Sequence, residues 1–252
     1  MKTINLGRGL KGALVTVLLT GCAVYGQMPG SPAGMSTALT KLFGDTTAFT
    51  AKGEMSVTDT AQKELANWPM DFSLLDKKIR VEIDVTRSRN PNMNAQMATT
   101  LKQMGMAQVI SIIRPDKKLA YVIYPDQKAM MALPFSKEES REVEKAPKVS
   151  KTQLGKETID GHPCIKNKVV VSDSTGQSLE ATTWDASDLK DLPIQIQTEE
   201  KGTISIVRFK QIQFARPEAG LFEPPTGFTQ YANPEDLKVG IMKKMLDSGA
   251  KK

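Results

Sequence analysis

The sequence predicts a mostly β domain of the α+β class, built from antiparallel strands, behind a short N-terminal leader. Three observations carry this expectation. Apolar and polar side chains alternate with period two over many short stretches from Phe49 onward. Gly, Asp, Asn and Pro separate those stretches at the spacing of hairpins. Helical periodicity is confined to three segments, near residues 37–43, 90–106 and 234–247.

The leader comes first. Lys2, Arg8 and Lys11 precede an apolar run, Ala13 to Leu19, that ends in small residues. A basic start, a short apolar stretch and a small-residue end are the parts of a secretory signal. The run is about half of the roughly 20 residues that span a bilayer, so it reads as a removable leader over residues 1–21. It closes on Leu19-Thr20-Gly21-Cys22, which resembles the bacterial lipobox. That resemblance implies acylation of Cys22 and anchoring of an exported chain in the periplasm or at the outer membrane. Cleavage nearby, after Ala23 or Gly26, would instead give a soluble exported protein. Stable anchoring takes about two acyl chains, a condition that a lipidated Cys22 would meet.

Removing residues 1–21 takes away three basic side chains and no acidic one, leaving 31 against 28. So small an excess, scattered along the chain, does not form the clustered basic face of a nucleic-acid-binding protein. The chain has two cysteines, Cys22 and Cys164, and one histidine. No disulfide framework is possible from these, and a transition-metal site with N and S ligands is not expected. No cofactor motif is found: phosphate loop, dinucleotide fingerprint, nucleophile elbow and calcium loop are all missing. The remaining length suffices for a core of its own.

Residues 22–36, with the Gly, Pro and Ser of 27–36, read as a tether. Ser36 can cap a short helix with Leu39, Leu42 and Phe43 on one side. Strands are expected from the alternations at 49–57, 70–74 and 79–85, then a hairpin of 107–113 and 119–124 around Arg114-Pro115-Asp116-Lys117-Lys118. Strands at 152–159, 164–172, 178–184, 193–199 and 203–214 follow. The charged segment 136–150, with Pro147, reads as an exposed loop between two halves of the sheet. Asn233 caps a terminal helix carrying Leu237, Ile241, Met245 and Leu246. The domain is expected over residues 37–231, with the helix and tail over 232–252.

Three groups of residues invite a functional reading. The stripe Met93, Met97, Leu101 and Met104 is unusual in a chain with 13 methionines; such soft side chains suit a surface that packs against varied partners, and equally an ordinary core stripe. Arg80, on the same strand face as Glu82 and Asp84, reads either as part of a solvated face or as a hydrogen-bond donor at a cavity. His162 and Cys164 could form a nucleophile pair, but Pro163 between them is a poor place to fix that geometry. Trp68 and Trp184 read as packing residues, and no catalytic residue is expected.

The order of elements resembles the LolA/LolB-like periplasmic lipoprotein carriers and their outer-membrane receptor relatives. The matched pieces are Leu39-Thr40-Lys41-Leu42-Phe43 with Phe49-Thr50-Ala51, then Lys78-Ile79-Arg80-Val81-Glu82 and Tyr121-Val122-Ile123-Tyr124-Pro125. Leu221 to Phe228 completes them with a Phe-x-x-Pro-x-Gly segment. Phrases such as Ile113-Arg114-Pro115-Asp116 and Asp185-Ala186-Ser187-Asp188-Leu189 are similar to an uncharacterised bacterial family of that class. The resemblance implies an unclosed β-barrel, a curved sheet wrapped around lid helices over an apolar cavity. It also implies that an arginine at Arg80 holds the lid. On this reading the chain is a non-enzymatic envelope protein that binds an acyl chain or other apolar ligand, in lipid or lipoprotein handling. The alternative is an interaction lipoprotein whose cavity is filled by its own side chains. A hydrolase on Cys164 and His162 stands third.

Overall fold

The computed structural model describes residues 40–91, 93–144, 148–172, 178–200 and 202–249. The leader, Cys22, the tether and the cap at Ser36 lie outside them.

Twelve strands form one sheet. In chain order they are β1 (Ala48–Asp59), β2 (Glu64–Leu75), β3 (Lys78–Asp84), β4 (Gln108–Arg114), β5 (Leu119–Tyr124) and β6 (Ala129–Pro134). There follow β7 (Lys148–Ile159), β8 (His162–Ser172), β9 (Ser178–Ala186), β10 (Leu192–Glu200), β11 (Thr203–Gln213) and β12 (Thr229–Tyr231). Their order in space is β12-β6-β5-β4-β3-β2-β1-β11-β10-β9-β8-β7. The chain meanders outward from β1 to β6, jumps to the far edge, and meanders back until β11 pairs antiparallel with β1. β12 then adds to β6, in parallel. β12 and β7 stand at opposite ends of this order, so the sheet is unclosed. The helices are α1 (Ala95–Gln103), α2 (Lys137–Glu144) and α3 (Pro234–Gly249).

Strand alternation assigns the two faces. The inner face carries Phe49, Ala51 and Met55 of β1, Trp68, Met70, Phe72 and Leu74 of β2, and Ile79 and Ile83 of β3, with cross-strand pairs such as Phe49–Leu74 and Leu74–Ile79. Phe43, just beyond the helical turn at 40–42, drops onto this face. Its ring lies 5.3 Å from Phe49, and Phe72 lies 4.8 Å from Phe209 of β11, so four aromatic rings interlock at the centre. Farther along the face, α3 lays Leu237 and Ile241 over Val109, Val122, Tyr124 and Met131.

The outer face of β4 and β5 is apolar too. Ile112, Tyr121 and Ile123 lie there with Leu75, and a strap formed by residues 214–228 covers them with the fully buried Phe222.

Several expectations need correction. The segment 136–150 is not a loop: it holds α2 and the start of β7. The helix expected over 90–106 is α1 alone, started by Asn94, whose side chain accepts from the Met97 amide, and ended before Gly105 at φ +60°. The strand placed at 70–74 runs from Glu64, and β6 and β12 were not expected.

Candidate functional site

Arg80 and Arg114 are the charged side chains that the fold places most deliberately. Both sit on outer-facing positions beside the apolar patch under the strap. Arg80 donates from Nη1 to the Leu221 carbonyl at 2.9 Å and from Nε to Glu82 at 2.8 Å. Arg114, with its side chain 4% exposed, donates to the Phe222 carbonyl at 3.0 Å and to both carboxylate oxygens of Asp116. It also pairs with Glu223 at 2.6 Å, and Lys117 reaches the other Glu223 oxygen at 2.8 Å. The bidentate arginine–carboxylate pair fixes geometry as well as charge. Hydrogen bonding to Arg114 holds the Asp116 carboxyl below its ordinary range, and Lys117 and then Arg114 do the same for Glu223. The two arginines therefore clamp the strap by its backbone at consecutive carbonyls, Leu221 and Phe222.

Of the expected site residues, Met93, Met97 and Leu101 are half-buried and Met104 is buried. They share α1 and its two flanks. That helix lies nearest the β3–β4 connection at Val85–Arg87, and its C-terminal end meets the β5–β6 turn, where Gln127 donates to the Met104 carbonyl. Arg80 is not brought to this stripe; its contacts are Glu82 and the strap. Cys22 lies outside the described residues. Arg114 was missed. Its position before Pro115 made it read as a turn residue, and nothing local in the sequence shows a partner 108 residues away.

His162 and Cys164 do not face each other as nucleophile and base. His162 Nδ1 lies 2.7 Å from Asp188 Oδ2, while the Cys164 thiol is directed at the His162 carbonyl, 3.4 Å away. Burial pushes that thiol up, the opposite of what an attacking thiolate requires. Trp184 packs beside Cys164, and its indole N–H is taken by Glu157.

Two open cavities accompany these features. One, of about 420 Å³, lies beside Cys164 with Glu157 and Pro163 on its wall. The other, of about 560 Å³, is a groove on the outer face lined by paired charges such as Lys52–Asp71 and Lys210–Glu54. Neither is bordered by the α1 stripe. Among the described residues no three His, Cys, Asp or Glu side chains are placed to hold a metal ion, and no helix is long and apolar enough to cross a membrane.

The inner face differs from both cavities. Mostly apolar positions run across it from β6 to β8; Ser111 interrupts them on β4, and Asn167, Thr183 and Asp185 meet on β8 and β9. Short pieces roof it: Leu42 and Phe43, Phe135, Val143 of α2, and two side chains of α3.

Such an unclosed, partly roofed antiparallel sheet defines a class of α+β half-barrels. Within it, this chain belongs to the family described as Domain of unknown function (DUF4412), which matches residues 51–192, more than half of its length. No curated protein matches the sequence. Among solved structures, the chain is similar to a LolA superfamily protein, NE2245, from Nitrosomonas europaea. Identity is 10%, over 77% of this chain and 96% of that one, with a TM-score of 0.40. It is also similar to the Mycobacterium tuberculosis lipoprotein LppX, at 13% identity over 71% and 93% of the two chains and a TM-score of 0.37. A DUF1329 family protein from Desulfovibrio piger gives 11% identity over 76% and 96%, also at 0.37. The family that matches is an uncharacterised one, as expected from the sequence.

Proposed function

We propose that the chain is a non-enzymatic protein of the cell envelope that binds an acyl chain, of a free lipid or of a lipid-modified protein, against the inner face of its sheet. The observation that supports this most is the inner face itself: an apolar surface many strands wide under a discontinuous roof. A flexible chain can replace the contacts of a roof piece at little cost where that piece is as small as the Leu42–Phe43 turn. The α1 methionines at the flank adapt to such a replacement. Arg80 and Arg114 keep the strap on the outer face, so that opening is confined to the inner one. Acylated Cys22 would hold the protein at the membrane from which the ligand comes.

An environment-sensitive fatty-acid probe tests this on the full chain carrying Cys22→Ser. Binding in the micromolar range is expected. Phe43→Ala, which thins the roof, should tighten it, and Met97→Asp should weaken it by adding a charge to an apolar flank. The interlocked rings of Phe43, Phe49, Phe72 and Phe209 favour the second reading, an interaction protein with a filled core. A folded protein that takes up no probe, even as Phe43→Ala, would establish that reading instead. Labelling cells with an alkyne fatty acid tests the anchor: the wild type should be tagged and Cys22→Ser should not.

A further inference from the structure

The polar cluster of the inner face on β8 and β9 leaves two buried oxygens unpaired among the described residues. Thr183 and Asp185 are two apart on β9 and so point to the same side, and Asn167 of β8 stands opposite Thr183. They share that side with Val169, Ala181 and Ile196 of the core. Thr183 is 1% exposed and Asp185 2%. One oxygen of Asp185 is well served: Oδ2 accepts from the Asn167 side-chain amide at 2.7 Å and pairs with the Lys151 ammonium. The other, Oδ1, finds no hydrogen-bond partner among the described residues, and neither does the neighbouring Thr183 hydroxyl. Buried polar atoms are nearly always satisfied, because each one left unpaired forfeits its hydration without return. Two together, aimed from one strand into an apolar face, amount to an open demand for hydrogen-bond partners, and for Asp185 Oδ1, which only accepts, the partner must be a donor. Access is close at hand. Lys151, which caps the cluster from β7, is 45% exposed and can swing into solvent on its flexible stem.

We infer that Thr183 and Asp185 form the head-group subsite of the inner-face ligand, with Asn167 orienting the carboxylate and Lys151 serving as its counter-ion and movable cover. The inference rests on the acyl-chain reading above and sharpens it to a class. The ligand is an acyl chain ending in a group that donates hydrogen bonds, such as the hydroxyls of a monoacylglycerol or an amide N–H. A fully esterified chain offers Asp185 Oδ1 no proton. A free carboxylate would sit against the Asp185 charge.

Displacement of the fluorescent probe from the full-length Cys22→Ser protein by 1-monolauroylglycerol and by methyl laurate measures this. The two share a chain and differ in donors. Monolauroylglycerol should compete at least about tenfold better, the factor expected when a buried acceptor is left unpaired in the poorer complex. In Thr183→Val, which keeps the side chain's shape but loses one of the two unpaired oxygens, and in Lys151→Ala, which keeps both, the outcomes should part: the preference falls without vanishing in the first, since Asp185 Oδ1 remains, and survives undiminished in the second. Equal competition by both compounds in the wild type overturns the subsite while leaving the acyl-chain reading intact. So does an undiminished preference in Thr183→Val, which would mean that buried water serves these atoms. Absence of probe binding to a protein shown to be folded overturns both.

Discussion

The two arms of the sheet use the same hairpin architecture and bury very different amounts of it. In the arm from β1 to β6 the inner face is covered, and at β4 and β5 the outer face is covered as well. Phe49, Leu74 and Ile79 are sealed on the inner side, and Ile112 and Ile123 under the strap on the outer. In the arm from β7 to β10 the cover runs out. β8 and β9 still bury Val169, Val171 and Ala181, but β7 is exposed on both faces along most of its length, with Val149 46% and Leu154 55% exposed. Three sources of cover, the turn at 40–43, the strap and α3, land on or beside the first arm. A strand's alternation offers one apolar face. Whether that face becomes core depends on which other segments reach it. The second arm, less covered and holding the unsatisfied polar pair, is where the molecule has surface left to offer. The long edge at β7 is blunted by Lys148, Lys151 and Lys156 and by the irregularity between Gln153 and Gly155.

The contrast can be broken most severely at Phe49. Phe49→Ala removes a fully buried ring from the aromatic centre and should cost about 3–5 kcal/mol in urea unfolding. A loss below about 1 kcal/mol would mean that the first arm is not the stable one.

Arg114→Met should cost about 2 kcal/mol, because it frees the Phe222 carbonyl and strands Asp116 and Glu223, both of which keep some solvent. It should also change the acid response. The carboxyls of Asp116 and Glu223 are held below their ordinary values in the folded protein, so their contribution is present above the unfolded range near about 4 and is lost as pH falls from there through the folded values. The gap between wild type and variant should therefore narrow on acidification. A gap that stays constant from neutral pH down to about 3 would show that the clamp works through packing alone.

A smaller loss, about 1–2 kcal/mol, is expected for Cys164→Ala, a small truncation in the satellite cluster with Trp184 and Ile194. It should change no function, and loss of a hydrolytic activity with the fold intact would overturn the non-enzymatic reading. Leu154→Ser closes the series: at a position exposed on the uncovered edge it should shift stability by no more than about 0.5 kcal/mol. A larger cost would show that β7 is covered in solution by something beyond the described residues.

The strands that alternate cleanly were legible: β1, β3, β4, β5 and most of the second arm stand close to where period two places them. β6 was not, because Ala129-Met130-Met131-Ala132-Leu133-Pro134 has no β-branched residue and alternates poorly. A signal existed even so. Pro125-Asp126-Gln127-Lys128 repeats the Pro115-Asp116-Lys117-Lys118 turn, each ending on a lysine with positive φ, and so announces a second hairpin. The α1 pattern read longer than it is, since Asn94 and Gly105 stop a helix that the methionine spacing alone would extend.

By itself the sequence determined the β class, the turns and which side chains share a face, because these follow from local composition and from a period of two residues. Tertiary structure decided which faces became core and what each charge holds. Arg80 and Leu221 are 141 residues apart, and Arg114 and Phe222 are 108 apart. Thr183 reads as an ordinary strand residue, and Asp185 as the residue just past the strand's end, until the sheet curls both into an apolar interior. Contacts at such separations depend on how the chain crosses from one edge of the sheet to the other, and side-chain alternation within a strand carries no record of that crossing.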